Sequence, residues 1–443
     1  MMCEYYTGIE LGTDSIKIVV VEKKDGKYNC LAANSYFSSG VVNGQVYDVR
    51  ACSNSIRDCC QNIEDMLDIK ISKVIAAISP KDCKMDIVVG TVDVADPTSI
   101  TGADISSVLN QAVKDHRVDG YEIITVTPIN FIVDDNENIK DPKGMAGSTL
   151  EAKVVISSIP KNNLYKPLEA IRLAGLETID VAFTSTGDYH SALGVGEDVY
   201  VGAVLNIGES TTNVSIFNKG IQIKHSQLPV GSVNVDKDLS YIYNIDNNEA
   251  RKIKEEFAYA LEEYADEREI ISVTAKDESK KDISQIGASK VVEARLREIL
   301  KLSKNEIKNL TNREIRYIIV TGGLSEIQGF NYLLDNEFNG LAKLCKISTI
   351  GLRHNKYSSA FGVIKYFDLK LALRGKSYNM IDNESLGILT STEYKLSDYN
   401  GFQEVYNHLF DWLRRTGYVR RIRDGSISED KSHWCWWRWR KCH

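Results

Sequence analysis

Apolar and polar residues near the start of the chain follow the pattern of β-strands joined by a tight turn. An apolar run ends before the polar turn at 12–15, and apolar residues then resume through Val21. Asp25 and Gly26 separate these residues from a further run at 27–32, and Asp-Gly between apolar runs is typical of a hairpin. The pattern predicts three consecutive antiparallel strands.

The same pattern returns in the second half of the chain. An apolar strand at 201–207 leads into a polar turn at 208–212, and further apolar runs follow at 213–217 and 221–223. Because a repeat on this scale is typical of a duplicated architecture, we expect two similar domains that face one another.

Three glycine-containing turns have the composition of an anion-binding site. Glycine lets the backbone approach a ligand closely, and the N–H groups and hydroxyls of turns 12–15 and 208–212 can surround phosphate oxygens. A third turn, at 322–323, follows the apolar strand at 318–321. Each of the first two turns alone also fits an ordinary hairpin, but the three turns together indicate a nucleotide cleft between the two domains.

The amino-acid composition limits the classes of protein to which the chain can belong. The 443 residues are 43% hydrophobic and 26% charged, which is typical of a soluble chain with more than one core. No apolar run approaches the roughly 18 residues that span a bilayer. The first residues lack the basic and apolar blocks of a signal peptide, and nine cysteines without a C-x-x-C pair favour reduced thiols. We therefore expect a cytoplasmic protein.

Charge is distributed unevenly along the chain. The net charge is −7, yet residues 412–443 contain nine Lys or Arg, three acidic residues and all five tryptophans. The remaining, acidic body argues against nucleic-acid binding, which needs a basic surface. A basic end predicts docking to an anionic membrane surface or an acidic partner.

An amphipathic pattern at 401–415 supports the membrane alternative. Its apolar residues recur with helical spacing opposite a polar face, and the segment is too short to span a bilayer, so we expect a helix lying in the membrane interface. The alternative is a last helix packed on the protein's own core. The predicted membrane-binding residues are Phe402, Val405, Tyr406, Leu409, Phe410, Trp412, Leu413, Arg414 and Arg415.

The order of these motifs resembles a known fold and family. Strand–Gly-Thr, strand–Gly-x-Ser-Thr and strand–Thr-Gly-Gly resemble the actin-type ATPase fold. The segment 141–152 resembles the Asp-Pro-x-Gly-Met-x-Gly segment of the bacterial cell-division family FtsA, and blocks at 128–133, 170–176, 228–231 and 357–363 agree in order. The resemblance covers roughly residues 5 to 390.

The resemblance implies an α/β, actin-like (ribonuclease-H-like duplicated) two-lobed fold with a small inserted FtsA-type subdomain. The implied segments are subdomain 1A (1–83, 166–195, 355–375), the inserted 1C (84–165), 2A (196–230, 315–354), 2B (231–314), a linker (376–400), a membrane-targeting helix (401–415) and a basic tail (416–443).

The resemblance also implies a role at the division site. Such a protein tethers FtsZ filaments to the inner face of the cytoplasmic membrane, binds the FtsZ C-terminal peptide on 2B, polymerises with its own copies, and takes ATP with Mg²⁺ as cofactor. The implied nucleotide-binding residues are Gly12, Thr13, Asp14, Ser15, Lys17, Gly208, Glu209, Ser210, Thr211, Thr212, Gly231, Lys254, Gly322, Gly323 and Leu324.

The nucleotide site departs from the family pattern at its catalytic positions. The first acid is Glu10 rather than Asp, and the second is Asn206, a neutral amide. The usual lysine position holds Ser15, although Lys17 shares its strand face. Carboxylates hold Mg²⁺ and orient the attacking water, so we expect weak or absent ATP hydrolysis.

Two further departures point the same way. Glu209 adds a negative charge beside a phosphate turn, and Arg251 stands where the family has an acid. We therefore expect nucleotide binding to be attenuated.

Two other functions remain open at this point. One is an adaptor of the pilus-assembly PilM type, which has the same fold. The other is an active actin-fold ATPase or sugar kinase, which needs a catalytic Asp near the cleft, whereas Thr184, Asn206 and Asn213 occupy the aligned positions.

Overall fold

Two five-stranded sheets with the same topology form the framework of the protein. The computed structural model describes residues 3–114, 116, 118–192 and 199–389. In each sheet three consecutive strands pair antiparallel, and two later strands add in parallel beside the first of them. The internal repeat read from the hydrophobic pattern is therefore present as two equivalent sheets.

The first sheet has the order β11-β6-β1-β2-β3. A short hairpin and four helices accompany it. These elements are β1 (Glu4–Leu11), β2 (Ser15–Lys24), β3 (Lys27–Phe37), β4 (Val41–Val42), β5 (Gln45–Val46), α1 (Val49–Leu67), β6 (Lys73–Ile78), α3 (Lys161–Leu173), β11 (Glu177–Phe183), α4 (Thr184–Ala192) and α9 (Ser358–Leu373).

A separate four-stranded sheet is inserted between β6 and α3. Its order is β7-β10-β8-β9, and one helix packs on it through Ile105, Val108 and Leu109. The elements are β7 (Lys84–Asp93), α2 (Gly102–Lys114), β8 (Tyr121–Val133), β9 (Asn136–Ile139) and β10 (Thr149–Pro160).

The second sheet has the order β14-β13-β12-β17-β18. Its strands and helices are β12 (Val201–Ile207), β13 (Thr212–Asn218), β14 (Ile221–Leu228), α5 (Ser232–Tyr243), α6 (Asn247–Lys252), β15 (Ile270–Thr274), β16 (Lys280–Ser284), α7 (Gln285–Leu310), β17 (Tyr317–Thr321), α8 (Phe330–Phe338) and β18 (Ala342–Leu344). Strand β17 is buried at all five positions, as a continuous apolar strand in a parallel pair should be.

Helices α4 and α9 cross in close contact between the two sheets. A Cβ on Gly362 would lie 1.7 Å from the carbonyl oxygen of Gly187, and one on Gly187 would lie 2.4 Å from that of Ser359. Only glycine permits this approach. The crossing belongs to a core that includes Tyr6 and Val19 of the first sheet and residues of the second.

The first part of the segment predicted as a linker packs against the body. Met380 is buried, and its backbone N–H donates to the carbonyl oxygen of Tyr5 at 3.0 Å. The Ser385 hydroxyl accepts from the N–H of Lys70. Among the helices that the structure describes, none combines the length and the apolar character needed to cross a membrane.

Candidate functional site

The first turn connects β1 to β2 and admits little besides glycine at its start. The Gly12 N–H donates to the Ser15 carbonyl at 3.2 Å, and a Cβ on Gly12 would lie 2.7 Å from both that oxygen and Lys17 Nζ. The hydroxyl of Thr13 accepts from the N–H of Gly44 at 2.8 Å, which ties the turn to the β4–β5 hairpin.

Glu10 and Lys17 face each other across this strand pair. They are register partners in β1 and β2, and Lys17 Nζ lies 3.5 Å from Glu10 Oε1. Both side chains are largely buried, at 13% and 12% exposure. The acid predicted at the first catalytic position is thus neutralised within its own lobe.

The second turn is fastened by backbone hydrogen bonds to the start of α5. The Ser232 N–H donates to the Gly208 carbonyl at 2.9 Å, and the Val233 N–H donates to the Glu209 carbonyl at 2.8 Å. A Cβ on Gly231 would lie 2.6 Å from the Glu209 carbonyl oxygen, so this close approach requires glycine. Within the turn, the Gly208 N–H donates to the Thr211 carbonyl.

One side chain of this turn, that of Ser210, remains available for a ligand. The Ser210 hydroxyl oxygen is buried and has no hydrogen-bond partner among the residues that the structure describes. A buried hydroxyl of this kind is costly unless a ligand or water completes it. Burial raises the pKa of the Glu209 carboxyl, and the charge of Arg251 acts in the opposite direction. Thr212 is fully buried, and its hydroxyl donates to the Val230 carbonyl.

A buried aspartate that sequence reasoning missed lies beneath the cleft. Asp188 of α4 is fully buried, and its Oδ2 accepts from Asn206 Nδ2 at 2.7 Å. Its Oδ1 accepts from the hydroxyls of Ser358 and Ser359 at 2.6 and 2.7 Å. Burial raises its pKa to about 6. Asp188 lies one helical turn after Thr184 in α4, and no motif in the sequence marks it.

These hydrogen bonds bear on catalysis by Asp188. Both oxygens of the carboxylate are engaged by donors, and none of the side chain reaches solvent. The geometry therefore gives Asp188 a structural role in joining β12, α4 and α9. The cleft has an aspartate close by, but that aspartate is not free to orient a water.

Lys254 is buried rather than open to the cleft. Its side chain is 1% exposed, and Nζ lies 2.8 Å from Asp236 Oδ1 and 2.5 Å from the hydroxyl oxygen of Ser232. It sits in a single π-helical turn, Ile253–Phe257, that follows α6. The ammonium group is neutralised beneath the start of α5, which differs from the nucleotide contact expected from the sequence.

Arg251 connects the two lobes directly. Its Nη1 lies 2.7 Å from Asp14 Oδ1 in the first turn, and its Nε donates to Glu255 Oε1 at 3.0 Å. Burial alone would raise the pKa of Asp14, but the hydrogen bond and charge of Arg251 hold that pKa below its ordinary value. The sequence shows the residue types but not this pairing, which joins positions in different lobes.

The third turn reaches the end of β12. Gly322 has φ +95°, and a Cβ there would lie 2.4 Å from the carbonyl oxygen of Ile207 and 2.8 Å from Asn206 Oδ1. Gly323 faces open space, whereas the side chain of Leu324 is buried. The third turn therefore lies beside Asn206, and Glu209 of the second turn lies near enough to Asp14 of the first for their charges to interact.

A carboxylate-held Mg²⁺ does not fit the two strand ends of this cleft. Asn206 is neutral and donates to Asp188, while Glu10 is paired with Lys17. Within the described part of the chain, no group of three or more His, Cys, Asp or Glu is placed to hold a metal ion. The predicted membrane-binding residues, from Phe402 to Arg415 in the sequence, lie outside the described residues.

Comparison with known families identifies both the insert and the second lobe. Residues 81–158 match the family model described as the SHS2 domain inserted in FTSA. Residues 203–362 match the model described as cell division protein FtsA. Together these matches cover more than half of the 443 residues.

Individual proteins agree with the family models. The chain is 26% identical over 376 residues to cell division protein FtsA of Bacillus subtilis, covering 84% of this chain and 86% of that protein. A solved PilM-PilN type IV pilus biogenesis complex matches with a TM-score of 0.55 at 14% identity, over 82% of this chain and 98% of the other.

A second solved structure extends the agreement on fold. MreB5 of Spiroplasma citri bound to ADP matches with a TM-score of 0.52 at 12% identity, over 84% of this chain and 98% of the other. The predicted fold class is confirmed: the protein has an actin-like two-lobed fold with an inserted SHS2 domain. The chain belongs, as a divergent member, to the FtsA family of actin-like cell-division proteins.

Proposed function

We propose that this protein tethers FtsZ filaments to the inner face of the cytoplasmic membrane at the division site and polymerises with its own copies. The observation that carries the proposal is the inserted sheet β7-β10-β8-β9 with α2, in the region that matches the SHS2 domain inserted in FTSA. A sugar kinase or soluble ATPase has no need of this insert, whereas a filament-forming adaptor uses it for protomer contacts.

The membrane part of the proposal is supported by the sequence pattern at 401–415. Its apolar stripe, with Trp412, Arg414 and Arg415 at one end, suits a helix lying among lipid headgroups. The basic residues beyond it add attraction to anionic lipids.

The partner part of the proposal places the FtsZ C-terminal peptide on residues 231–314 and their surroundings. Tyr264 and Tyr332 stack at 4.9 Å between ring centroids and remain 46% and 49% exposed. Exposed aromatic pairs of this kind are typical of surfaces that a partner covers.

The cleft is proposed to bind ATP weakly and to hydrolyse it slowly or not at all. The unpartnered Ser210 hydroxyl and the open space at Gly323 support binding. The solved MreB5 structure, which has the same fold, is bound to ADP. The neutral Asn206, and Glu10 held by Lys17, support slow hydrolysis.

Co-sedimentation with vesicles tests the tether. The full chain is compared with a truncation after Asn400 on vesicles of phosphatidylglycerol and of phosphatidylcholine. We expect the full chain to sediment with the anionic vesicles and the truncated chain to stay in the supernatant. Equal behaviour of the two proteins would contradict the membrane anchor.

Point variants separate the amphipathic face from general charge. Leu409→Glu places a carboxylate on the apolar stripe and should abolish sedimentation with vesicles. Asn407→Glu adds the same charge on the polar face and should leave most of the binding intact. Equal loss in both variants would indicate attraction by net charge instead of an inserted helix.

Peptide binding tests the partner independently of the membrane. Fluorescence anisotropy with a labelled C-terminal peptide of the same organism's FtsZ should give saturable binding to both the full and the truncated chain. Absence of binding to either would leave the protein as an actin-like cell-division protein with another partner.

A further inference from the structure

The ion pair between Asp14 and Arg251 crosses the cleft in which phosphates are proposed to bind. Asp14 belongs to the turn between β1 and β2, and Arg251 belongs to α6, which packs with α5 in the second lobe. The two side chains are 33% and 38% exposed, so the pair lies at the surface of the cleft and is reachable by a ligand.

Carboxylates from three elements surround the Arg251 guanidinium. Asp14 contacts Nη1, Glu255 contacts Nε, and Glu209 of the second turn lies near enough for their charges to interact. Both glycine turns therefore present an acidic residue toward one cation. A nucleotide tail between these turns would be repelled by the two carboxylates and attracted by the guanidinium.

Two lysines near the cleft are each neutralised within a single lobe, whereas Lys356 lies near enough to Asp14 and Glu255 for their charges to interact. Lys17 pairs with Glu10 in the first lobe, and Lys254 pairs with Asp236 in the second. Arg251 differs because its partner Asp14 lies in the opposite lobe. An anion that displaced Asp14 would therefore break a connection between lobes, whereas displacement of Glu10 or Asp236 would not.

An arginine side chain can exchange a carboxylate partner for a phosphate partner. A guanidinium presents five N–H donors in a planar fork that matches phosphate oxygens as well as it matches carboxylate oxygens. Asp14 and a phosphate group would therefore compete for the same donors. Because the competitor is covalently part of the chain, its local concentration is high and apparent nucleotide affinity is reduced.

We propose that Arg251 is the phosphate-binding cation of this cleft and that Asp14 is its intramolecular competitor. Nucleotide entry then exchanges the Asp14–Arg251 ion pair for a contact between Arg251 and phosphate. The inference rests on the proposed nucleotide binding. The Asp14–Arg251 pair then joins the two lobes when the cleft is empty, and this pair is broken when nucleotide is bound.

Titration of the full chain with a fluorescent N-methylanthraniloyl-ATP tests the exchange. We compare the wild type with Asp14→Asn, Arg251→Gln and the double variant. Asp14→Asn should bind about tenfold more tightly, and Arg251→Gln about tenfold more weakly. In the Arg251→Gln background, Asp14→Asn should change the affinity less than about threefold, because the competition requires both partners.

A matched pair elsewhere provides the control. Arg295 and Asp238 form a two-contact ion pair at 2.6 and 2.9 Å between α7 and α5, with similar exposure. Asp238→Asn should leave nucleotide affinity unchanged. Thermal melting of every variant identifies any that fails to fold. Hydrogen exchange of the peptide 247–257 should rise on nucleotide binding in the wild type and in Asp238→Asn, but not in the variants of Asp14 or Arg251.

The outcomes separate this inference from the proposed function. Absence of binding by all four proteins would overturn nucleotide binding and the exchange together. Binding by the wild type with unchanged affinity in Asp14→Asn would overturn the exchange and leave nucleotide binding standing. An equal gain from Asp14→Asn in both backgrounds would show that Asp14 acts by repulsion alone, which also overturns the exchange.

Discussion

The two lobes contain the same strand–turn–strand unit, but the polar residues at equivalent positions of this unit have different kinds of partner. Glu10 near the end of β1 faces Lys17, and Asn206 at the equivalent position of β12 faces Asn213. The first pair is charged and satisfied within its own hairpin. The second pair is neutral, and Asn206 turns its amide toward buried Asp188 on another element.

This difference gives a structural reason for the amide at position 206. Asp188 already supplies a buried carboxylate 2.7 Å from the Asn206 amide nitrogen. A second carboxylate at that distance would leave two like charges facing each other without solvent. The packing beneath the cleft therefore favours a neutral residue at position 206.

Removal of Asp188, the partner of Asn206, should destabilise the protein more than any other change considered below. Asp188→Ala removes the acceptor shared by Asn206, Ser358 and Ser359 and leaves a cavity in a fully buried position, and we expect the free energy of unfolding to fall by about 3–5 kcal/mol. Urea denaturation measures the change. Asp238→Ala, which removes a part-exposed ion pair, should cost no more than about 1 kcal/mol. Similar costs for both variants would contradict the assigned role of Asp188.

The pH dependence of stability should follow the raised pKa of Asp188. The carboxyl has an ordinary value of 3.8 and a folded value of about 6, so the folded state binds more protons than the unfolded state between these values. Stability from this group is therefore lost as pH rises from about 4 to about 6, by about 3 kcal/mol.

The comparison of the wild type with Asp188→Asn isolates this group from the other titrating residues. The stability of the wild type relative to the variant, measured by urea denaturation, should fall between pH 4 and pH 7. A difference that stays constant over this range would place the folded pKa of Asp188 near its ordinary value.

Asn206→Asp gives both lobes an acid at the equivalent strand position, and it should lower the free energy of unfolding less than Asp188→Ala does. The new carboxylate meets Asp188, and we expect a loss of about 2 kcal/mol at pH 7.5 that shrinks toward pH 5 as the pair shares a proton. Asn213→Asp is the matched control, since its oxygen accepts from Gln227 and can continue to do so. No gain in ATP hydrolysis is expected from Asn206→Asp.

Glu10→Gln should have the smallest effect of the series. It leaves Lys17 without its carboxylate partner, but the amide oxygen can still accept from the ammonium, so we expect a cost of about 1 kcal/mol or less by urea denaturation. Because Glu10 contributes to the raised pKa of Asp188, the variant should also lower that pKa. A loss as large as that of Asn206→Asp would remove the contrast between the two lobes.

Much of the fold could be predicted from local sequence patterns. The alternation of apolar residues around the turns at 12–15 and 208–212 anticipated two equivalent sheets, and the segment at 141–152 led to the inserted domain. These inferences succeed because strand pairing through a short turn and close backbone approach at glycine depend on residues near one another in sequence.

The site was less accessible to sequence reasoning. Lys254 reads as a ligand-binding lysine but is buried against Asp236, and Asp188 carries no recognisable motif. A side chain's partner depends on packing between helices, which the local pattern does not contain.

The sequence by itself determined the duplicated strand–turn–strand units, their glycine turns and the family to which the chain belongs. Only the tertiary structure decided which charges meet: Arg251 with Asp14 across the cleft, and Asn206 with Asp188 beneath it. The physical reason is that backbone pattern is encoded over a few residues, whereas the strength of an ion pair or hydrogen bond depends on distance and burial, which arise when distant segments pack together.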